Sequence, residues 1–149
     1  MLFSVLSLLL FCSRPLKSQT KLSAKELTRI WLMDSGLFPQ DAVKMKAYEE
    51  ARDSALTYSG YNFAENGEIT LVSHNAGKFK FCGNGTPYVK KGTWFYKKGY
   101  VRITIDGGYF AAGTYQYDLV YRVASLNNGS LVLKKTKTYK NKRCEHCFK

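Results

Sequence analysis

Apolar and polar residues alternate along short segments of this chain between about residue 57 and residue 139. In the clearest segment, every second position is apolar: Tyr115, Tyr117, Leu119, Tyr121 and Val123. Alternation with period two and a high content of Tyr, Val and Ile is typical of a β-strand with one buried face. Turns with Asn-Gly and Asp-Gly pairs separate the segments, and such pairs favour tight hairpins. The pattern therefore predicts antiparallel β-structure.

The alternating segments predict eight strands, most of them joined by short turns. They cover residues 27–33, 57–64, 67–73, 78–82, 88–97, 100–106, 113–123 and 130–139. Eight consecutive antiparallel strands close into a barrel, because closure removes the unpaired edges of the sheet. The predicted fold class is all-β, an eight-stranded antiparallel up-and-down barrel. Its interior is either filled by side chains or holds one small ligand.

One helix is predicted between the first and second strands. It opens at Pro39 and Asp41, two residue types that suit a first helical turn, and runs to about Ala55. The apolar residues of this stretch are mostly small and recur at roughly helical spacing: Val43, Ala47, Tyr48, Ala51 and Ala55. We expect this helix to lie over one mouth of the barrel.

An uncharged, mostly apolar run of ten residues, Leu2 to Phe11, lies near the start of the chain and is followed by a polar stretch. Ten residues are too few to span a bilayer but suit the apolar region of a secretory signal peptide. We expect cleavage near Ser18 and a secreted or periplasmic protein, with a lipid anchor at Cys12 as the alternative route. The predicted organisation is a signal peptide at 1–18, a barrel domain at 19–143 and a Cys-containing tail at 144–149.

Length and composition narrow the classes of function. The 149 residues suit one domain, and a hydrophobic content of 45% excludes wholesale disorder. Two histidines and eleven carboxylates leave few groups for acid–base or metal chemistry. The sequence contains no Gly-x-Ser-x-Gly, phosphate-binding loop or His-Glu-x-x-His motif. We therefore expect no catalysis and no cofactor.

Several strand positions carry a resemblance to a known group of proteins: residues 27–31 on the first strand, 61–67 at the first hairpin, 92–94 with Trp94, and the closing strands 115–123 and 131–133. Over about residues 26–139 the chain resembles the lipocalin-like domains of exported bacterial proteins, within the wider group of lipocalin and fatty-acid-binding barrels. The resemblance implies a protein that binds a small, mostly apolar molecule without catalysis. Our leading hypothesis is an exported, monomeric barrel that binds a small apolar or amphipathic molecule.

The tyrosine-rich strand is the predicted wall of that ligand cavity. Its candidates are Tyr115, Tyr117, Leu119, Tyr121 and Val123. Tyrosine offers an apolar ring with one hydroxyl, and ligand pockets need apolar walls with few polar groups. The alternative is that these rings only fill the barrel.

A basic stretch near the C-terminus supports a second hypothesis. Lys134, Lys135 and Lys137 begin a run of cationic residues in a chain of net charge +12. Such runs attract anionic surfaces, although lysines also protect strand edges and keep surfaces soluble. The alternative function is a filled-barrel interaction module whose basic face meets an anionic envelope surface or a protein. We expect no nucleic-acid partner for an exported protein.

The last motif is Cys144-Glu145-His146-Cys147. A C-x-x-C pair forms a disulfide, contributes half of a zinc site or exchanges thiols. In an oxidising compartment, Cys144 pairs with Cys147, or either of them pairs with Cys82. A thiol or metal protein acting through Cys144, Cys147 and His146 is the third functional hypothesis, and no metal site is predicted outside it.

Overall fold

The computed structural model describes residues 22–35, 38–53, 58–74, 87–109 and 113–144. The predicted signal peptide at 1–18, the predicted strand at 78–82 and residues Cys147 and His146 lie outside this part of the chain. No helix in the described ranges is long and apolar enough to cross a membrane.

The described chain folds into eight strands and two four-residue helices. In chain order they are α1 (Ala24–Leu27), β1 (Ile30–Ser35), β2 (Ala42–Ala47), α2 (Glu50–Asp53), β3 (Tyr58–Phe63), β4 (Ile69–His74), β5 (Pro87–Lys97), β6 (Tyr100–Tyr109), β7 (Gly113–Asn127) and β8 (Ser130–Cys144). The strands form one sheet in the order β4-β3-β1-β2-β8-β7-β6-β5, and neighbouring strands are antiparallel.

The two end strands of the sheet meet and nearly close it into a barrel. The Trp94 amide on β5 donates a hydrogen bond to the Gly67 carbonyl over 2.8 Å, and Glu68 pairs with Thr93. A Cβ at Gly92 would lie 2.3 Å from the backbone oxygen of Ile69, so only glycine lets β5 approach β4 this closely. The predicted eight-stranded antiparallel barrel is confirmed.

The helix predicted from Pro39 to about Ala55 is wrong over most of its length. Residues Ala42–Ala47 form β2, which lies between β1 and β8, and the helix is only α2. Val43, Met45 and Ala47 are buried while the lysines between them are outside, which is a strand pattern. The period of two was the stronger signal, because Met45 has no place in the helical spacing.

α2 is fixed at the crossover from β2 to β3 by the buried carboxylate of Asp53. Its Oδ1 accepts a hydrogen bond from Nε of Arg52 over 2.7 Å, and its Oδ2 accepts one from the Glu49 amide over 2.9 Å. The Arg52 guanidinium also donates to the Ala47 carbonyl at the end of β2. The Arg52 hydrogen bond lowers the pKa of Asp53 to about 2.

This carboxylate predicts a loss of stability in acid. The pKa of Asp53 in the folded protein lies below its ordinary value of 3.8, so its contribution is complete above that pH and disappears toward pH 2. Asp53→Asn is expected to lower the melting temperature at neutral pH and to flatten its dependence on pH between 4 and 2. Thermal unfolding of both proteins across this range checks the effect. Parallel pH profiles for the two would contradict it.

α1 closes one end of the barrel. Leu27 is fully buried, and its carbonyl accepts a hydrogen bond from the indole N–H of Trp31 over 2.9 Å. The Tyr96 hydroxyl on β5 donates to the Leu22 carbonyl over 2.9 Å, which ties the start of the described chain to the opposite wall. The buried side chains of the barrel form one continuous apolar core. The open end, where β1, β4, β6 and β8 end, is called the mouth.

Candidate functional site: a tyrosine-lined cavity at the mouth

A cavity of about 260 Å³ opens inside the mouth of the barrel. It is lined by residues from six strands and one connection: Met33, Phe38, Ser59, Tyr61, Leu71, Pro87, Tyr109 and Tyr115. Its wall is aromatic and aliphatic, and Ser59 and the tyrosine hydroxyls supply the polar groups. No charged side chain lines it among the described residues.

The floor of the cavity is formed by the segment that joins β1 to β2. Phe38 is 4% exposed, and its ring centroid lies 5.0 Å from that of Tyr61 and 5.2 Å from that of Tyr121. Two groups of the barrel wall hold this segment: the Tyr121 hydroxyl donates to the Gln40 carbonyl, and Nζ of Lys135 donates to the Pro39 carbonyl. Phe38 therefore borders the cavity and belongs to the buried apolar core at the same time.

The hydroxyls of the buried tyrosines differ in whether they have a partner. That of Tyr115 donates to the Tyr88 carbonyl over 2.9 Å. Tyr61 is 6% exposed, and its hydroxyl forms no hydrogen bond with another described residue. Because no buried side-chain oxygen of the described chain lacks a partner, this hydroxyl is accessible from the cavity. Burial raises the pKa of both phenols, so both stay neutral at physiological pH. The Tyr61 hydroxyl is thus a neutral hydrogen-bonding group available to a molecule in the cavity.

A cluster of rings stiffens the wall on the β6–β7 side. Tyr115 stacks on Tyr117 with ring centroids 4.8 Å apart and planes 9° apart, and Tyr109 meets Tyr115 edge-on at 5.5 Å. The guanidinium of Arg143 on β8 lies 5.7 Å from the Tyr109 ring centroid. Burial raises the pKa of Tyr117, and the positive charge of Arg143 opposes that rise. Stacked rings have few rotamers, so this wall is preformed.

The predicted wall residues all lie on β7, but only one of them reaches the cavity. Tyr115 lines it, and Tyr117 lies directly behind Tyr115. Tyr121 is beneath Phe38, Leu119 is buried in the core, and Val123 packs against the core from a half-buried position. Whether any of them contacts a ligand stays a prediction.

Sequence reasoning missed the residues that β1, β3 and β4 contribute to the cavity. Phe38 was overlooked because the predicted helix began beside it, at Pro39. Ser59, Tyr61 and Phe63 alternate on β3, and this pattern identifies Tyr61 as inward-facing. The position of Phe38 determines which inward-facing residues line the cavity. The alternation of residues along a strand does not show where Phe38 lies.

The three lysines predicted as one basic surface separate in the structure. Lys134 and Lys137 are exposed on the outside of the barrel. Lys135 instead points inward at the mouth, where its Nζ lies 2.7 Å from the Pro39 carbonyl oxygen and 2.7 Å from a carboxylate oxygen of Asp41. The reason is register: Lys135 is opposite the inward-facing Tyr121, and antiparallel partners share a face. Lys135 anchors the cavity floor and is not part of the outer surface.

The end of β8 carries a disulfide-bonded cysteine, Cys144. A disulfide is the oxidised state of two cysteines. Among the described residues, no group of three His, Cys, Asp or Glu side chains is arranged to hold a metal ion. The proposed partners in the tail, Cys147 and His146, lie outside the described part, so the thiol and metal hypotheses stay predictions.

Comparison of the sequence with family models, with curated proteins and with solved structures found no match.

Proposed function

We propose that this protein is an exported, lipocalin-like barrel that binds one small, mostly apolar molecule and does not catalyse a reaction. The observation that carries the proposal is the cavity of about 260 Å³ above Phe38, with aromatic walls and the Tyr61 hydroxyl, which forms no hydrogen bond with another described residue. Pockets for drug-sized ligands measure about 300–1,000 Å³ and combine apolar walls with a few convergent polar groups. The cavity is just below that range, which favours a molecule of one or two rings.

The polar groups specify the rest of the ligand. A hydroxyl that faces an accessible cavity exchanges a hydrogen bond with water for one with a bound ligand, which adds about 0.5–1.5 kcal/mol to the affinity. Tyr61 is such a group, and its raised pKa keeps it neutral. A neutral ligand with a single hydrogen-bonding group therefore fits this cavity better than an ion does.

Export is supported by two independent features. The ten-residue apolar run at the start of the chain suits a signal peptide, and Cys144 is disulfide-bonded. Structural disulfides persist in secreted and periplasmic proteins and are rare in the cytosol.

Filling the cavity is expected to abolish binding without unfolding the barrel. Ser59 lines the cavity but is itself exposed, so Ser59→Trp places an indole in empty space and displaces no buried atom. The probe is 1-naphthylamine, a neutral two-ring fluorophore with one hydrogen-bonding group. We expect titration by fluorescence to show at least about tenfold weaker binding than in the unaltered protein, because the ring system no longer fits. Ala124→Trp, at an exposed position on β7, is the matched control and should bind normally.

The role of the Tyr61 hydroxyl is tested separately by comparing two probes. Tyr61→Phe keeps the ring and removes the hydroxyl, so we expect about 3- to 10-fold weaker binding of 1-naphthylamine and unchanged binding of naphthalene. If Ser59→Trp and the unaltered protein bound 1-naphthylamine equally well, the cavity would not be the binding site. If Tyr61→Phe weakened the binding of both probes equally, a hydrogen bond from the Tyr61 hydroxyl would not contribute to binding.

A further inference from the structure

The outer surface of β5, β6, β7 and β8 carries most of the exposed positive charge of the described chain. The antiparallel register aligns its side chains in rows across the four strands, such as Lys97–Tyr100–Arg122–Lys134 and Phe95–Arg102–Val120–Lys137. Its eight exposed cationic residues are Lys91, Lys97, Arg102, Arg122, Lys134, Lys137, Lys140 and Lys142. This surface is called the basic face.

Negative charge does little to offset these cations. Two carboxylates lie in the same rows, those of Asp106 and Asp118. Asp118 already forms an ion pair with Arg102, because its Oδ1 and Oδ2 accept hydrogen bonds from that guanidinium over 2.9 and 2.7 Å. The basic face therefore has a strong positive excess, and neighbouring strands about 4.8 Å apart concentrate it within a short distance.

The exposed aromatic side chains lie on the same face. Phe95 is 62% exposed, Tyr100 46% and Tyr139 54%, and these are the large hydrophobic side chains left exposed in the described chain. Single exposed apolar residues are common on soluble proteins, but three of them among eight cations form a mixed surface that points to a partner. Aromatic rings flanked by Lys and Arg are typical of the headgroup region of membranes.

Tyr139 distinguishes a lipid partner from single-stranded nucleic acid. Nζ of Lys137 lies 4.5 Å from its ring centroid, and the Arg102 guanidinium lies 4.8 Å from it. Nucleic-acid-binding sheets need open ring faces on which bases stack. With two cations already beside the ring, Tyr139 presents positive charge with its ring, which suits phosphate headgroups better than base stacking.

We propose that the basic face docks the protein on an anionic lipid bilayer, with Phe95, Tyr100 and Tyr139 entering the headgroup layer. The surface is separate from the cavity, because residues that point outward on β5–β8 alternate with those that point inward. The proposal therefore stands whether or not the cavity binds a ligand.

The test is sedimentation of the full chain with vesicles of equal parts phosphatidylcholine and phosphatidylglycerol, compared with vesicles of phosphatidylcholine alone. We expect binding to the anionic vesicles that is lost when the salt concentration rises from about 0.05 to about 0.5 M, because salt screens exposed charges. The apolar run at the N-terminus would bind neutral vesicles equally well and would resist salt, so the two sources of attachment are distinguishable. If the protein bound both vesicle types equally well and salt did not weaken the binding, the proposal would be wrong.

Two charge variants locate the attachment. The triple variant Lys134→Gln, Lys137→Gln and Lys140→Gln is expected to bind anionic vesicles on the order of 100-fold more weakly. Its control is the triple variant Lys25→Gln, Arg29→Gln and Lys46→Gln, which removes the same charge outside β5–β8 and should change binding by less than about threefold. Equal losses in the two variants would mean that only net charge matters, and the docking face would be wrong.

A third variant tests the aromatic part of the surface. Phe95→Ser leaves the charge unchanged and is expected to weaken vesicle binding by about three- to tenfold, because one ring no longer enters the headgroup layer. Binding to a 20-nucleotide oligothymidine is measured in parallel. Tight oligonucleotide binding together with no vesicle binding would assign the face to nucleic acid and overturn the proposal.

Discussion

Trp31→Ala is expected to destabilise the barrel by about 3–5 kcal/mol, the range for removing a fully buried aromatic side chain. Trp31 has no exposed surface, and its indole N–H is the hydrogen-bond donor that holds the Leu27 carbonyl of α1. The substitution thus leaves a cavity and an unpaired carbonyl at the same place. Because folded domains are stable by about 5–15 kcal/mol, a loss of this size is a large fraction of the total.

Urea unfolding followed by fluorescence measures this effect directly. The chain contains two tryptophans, so Trp94 remains as the reporter in the variant. Trp31→Phe is the matched control: it keeps an aromatic ring and loses the hydrogen bond, and we expect about 1–3 kcal/mol. A loss below about 1 kcal/mol for Trp31→Ala would mean that the α1 end does not unfold together with the barrel.

Gly92→Ala is expected to separate β4 from β5 at the place where these two strands meet, which is called the seam. We expect the free energy of unfolding to fall by about 1–3 kcal/mol, as it does when a tight interior is overpacked. The added Cβ would lie 2.3 Å from the backbone oxygen of Ile69 and 2.6 Å from its Cγ2. Backbone atoms cannot rotate away as the end of a side chain can, so β5 must shift. Elsewhere in a strand, replacing Gly by Ala usually stabilises, because it restricts the unfolded chain. A loss here therefore reports the close approach itself.

Hydrogen exchange of the Trp94 amide locates the opening, since this amide donates across the seam to Gly67. We expect faster exchange of this amide in Gly92→Ala, together with a lower denaturant midpoint. Thr93→Ala is the control on the same strand, because Thr93 is exposed and already has a Cβ. It should change stability by less than about 0.5 kcal/mol. Unchanged stability and exchange in Gly92→Ala would show that the two strands do not meet at Gly92.

The two proposed surfaces share the same strands without sharing side chains. On β7, Tyr115 and Tyr117 point inward, while Gln116 and Asp118 point outward. A strand exposes alternate residues on opposite faces, so one wall serves an apolar cavity and a charged outer surface. Substitutions on the basic face are for this reason expected to leave 1-naphthylamine binding unchanged.

The β-strands from β3 onward were predictable because their signal is local. Alternating residues and Asn-Gly or Asp-Gly turns determine where each strand begins and which face it buries. β2 was missed because its six apolar and basic residues were interpreted together with the apolar residues that follow, Tyr48 and Ala51. A six-residue strand offers few periods, and the alanines around it favour a helical interpretation.

The sequence by itself determined an antiparallel barrel with seven of its eight described strands, the inward face of β7 and the positive charge of the outer surface. The tertiary structure decided three things: that β2 lies between β1 and β8, that Phe38 fills the middle of the barrel, and that Lys135 points inward to hold it. Periodicity within a strand is a property of neighbouring residues. Which strand pairs with which, and what space remains between them, depends on contacts between residues far apart in the chain, such as Tyr121 with Gln40.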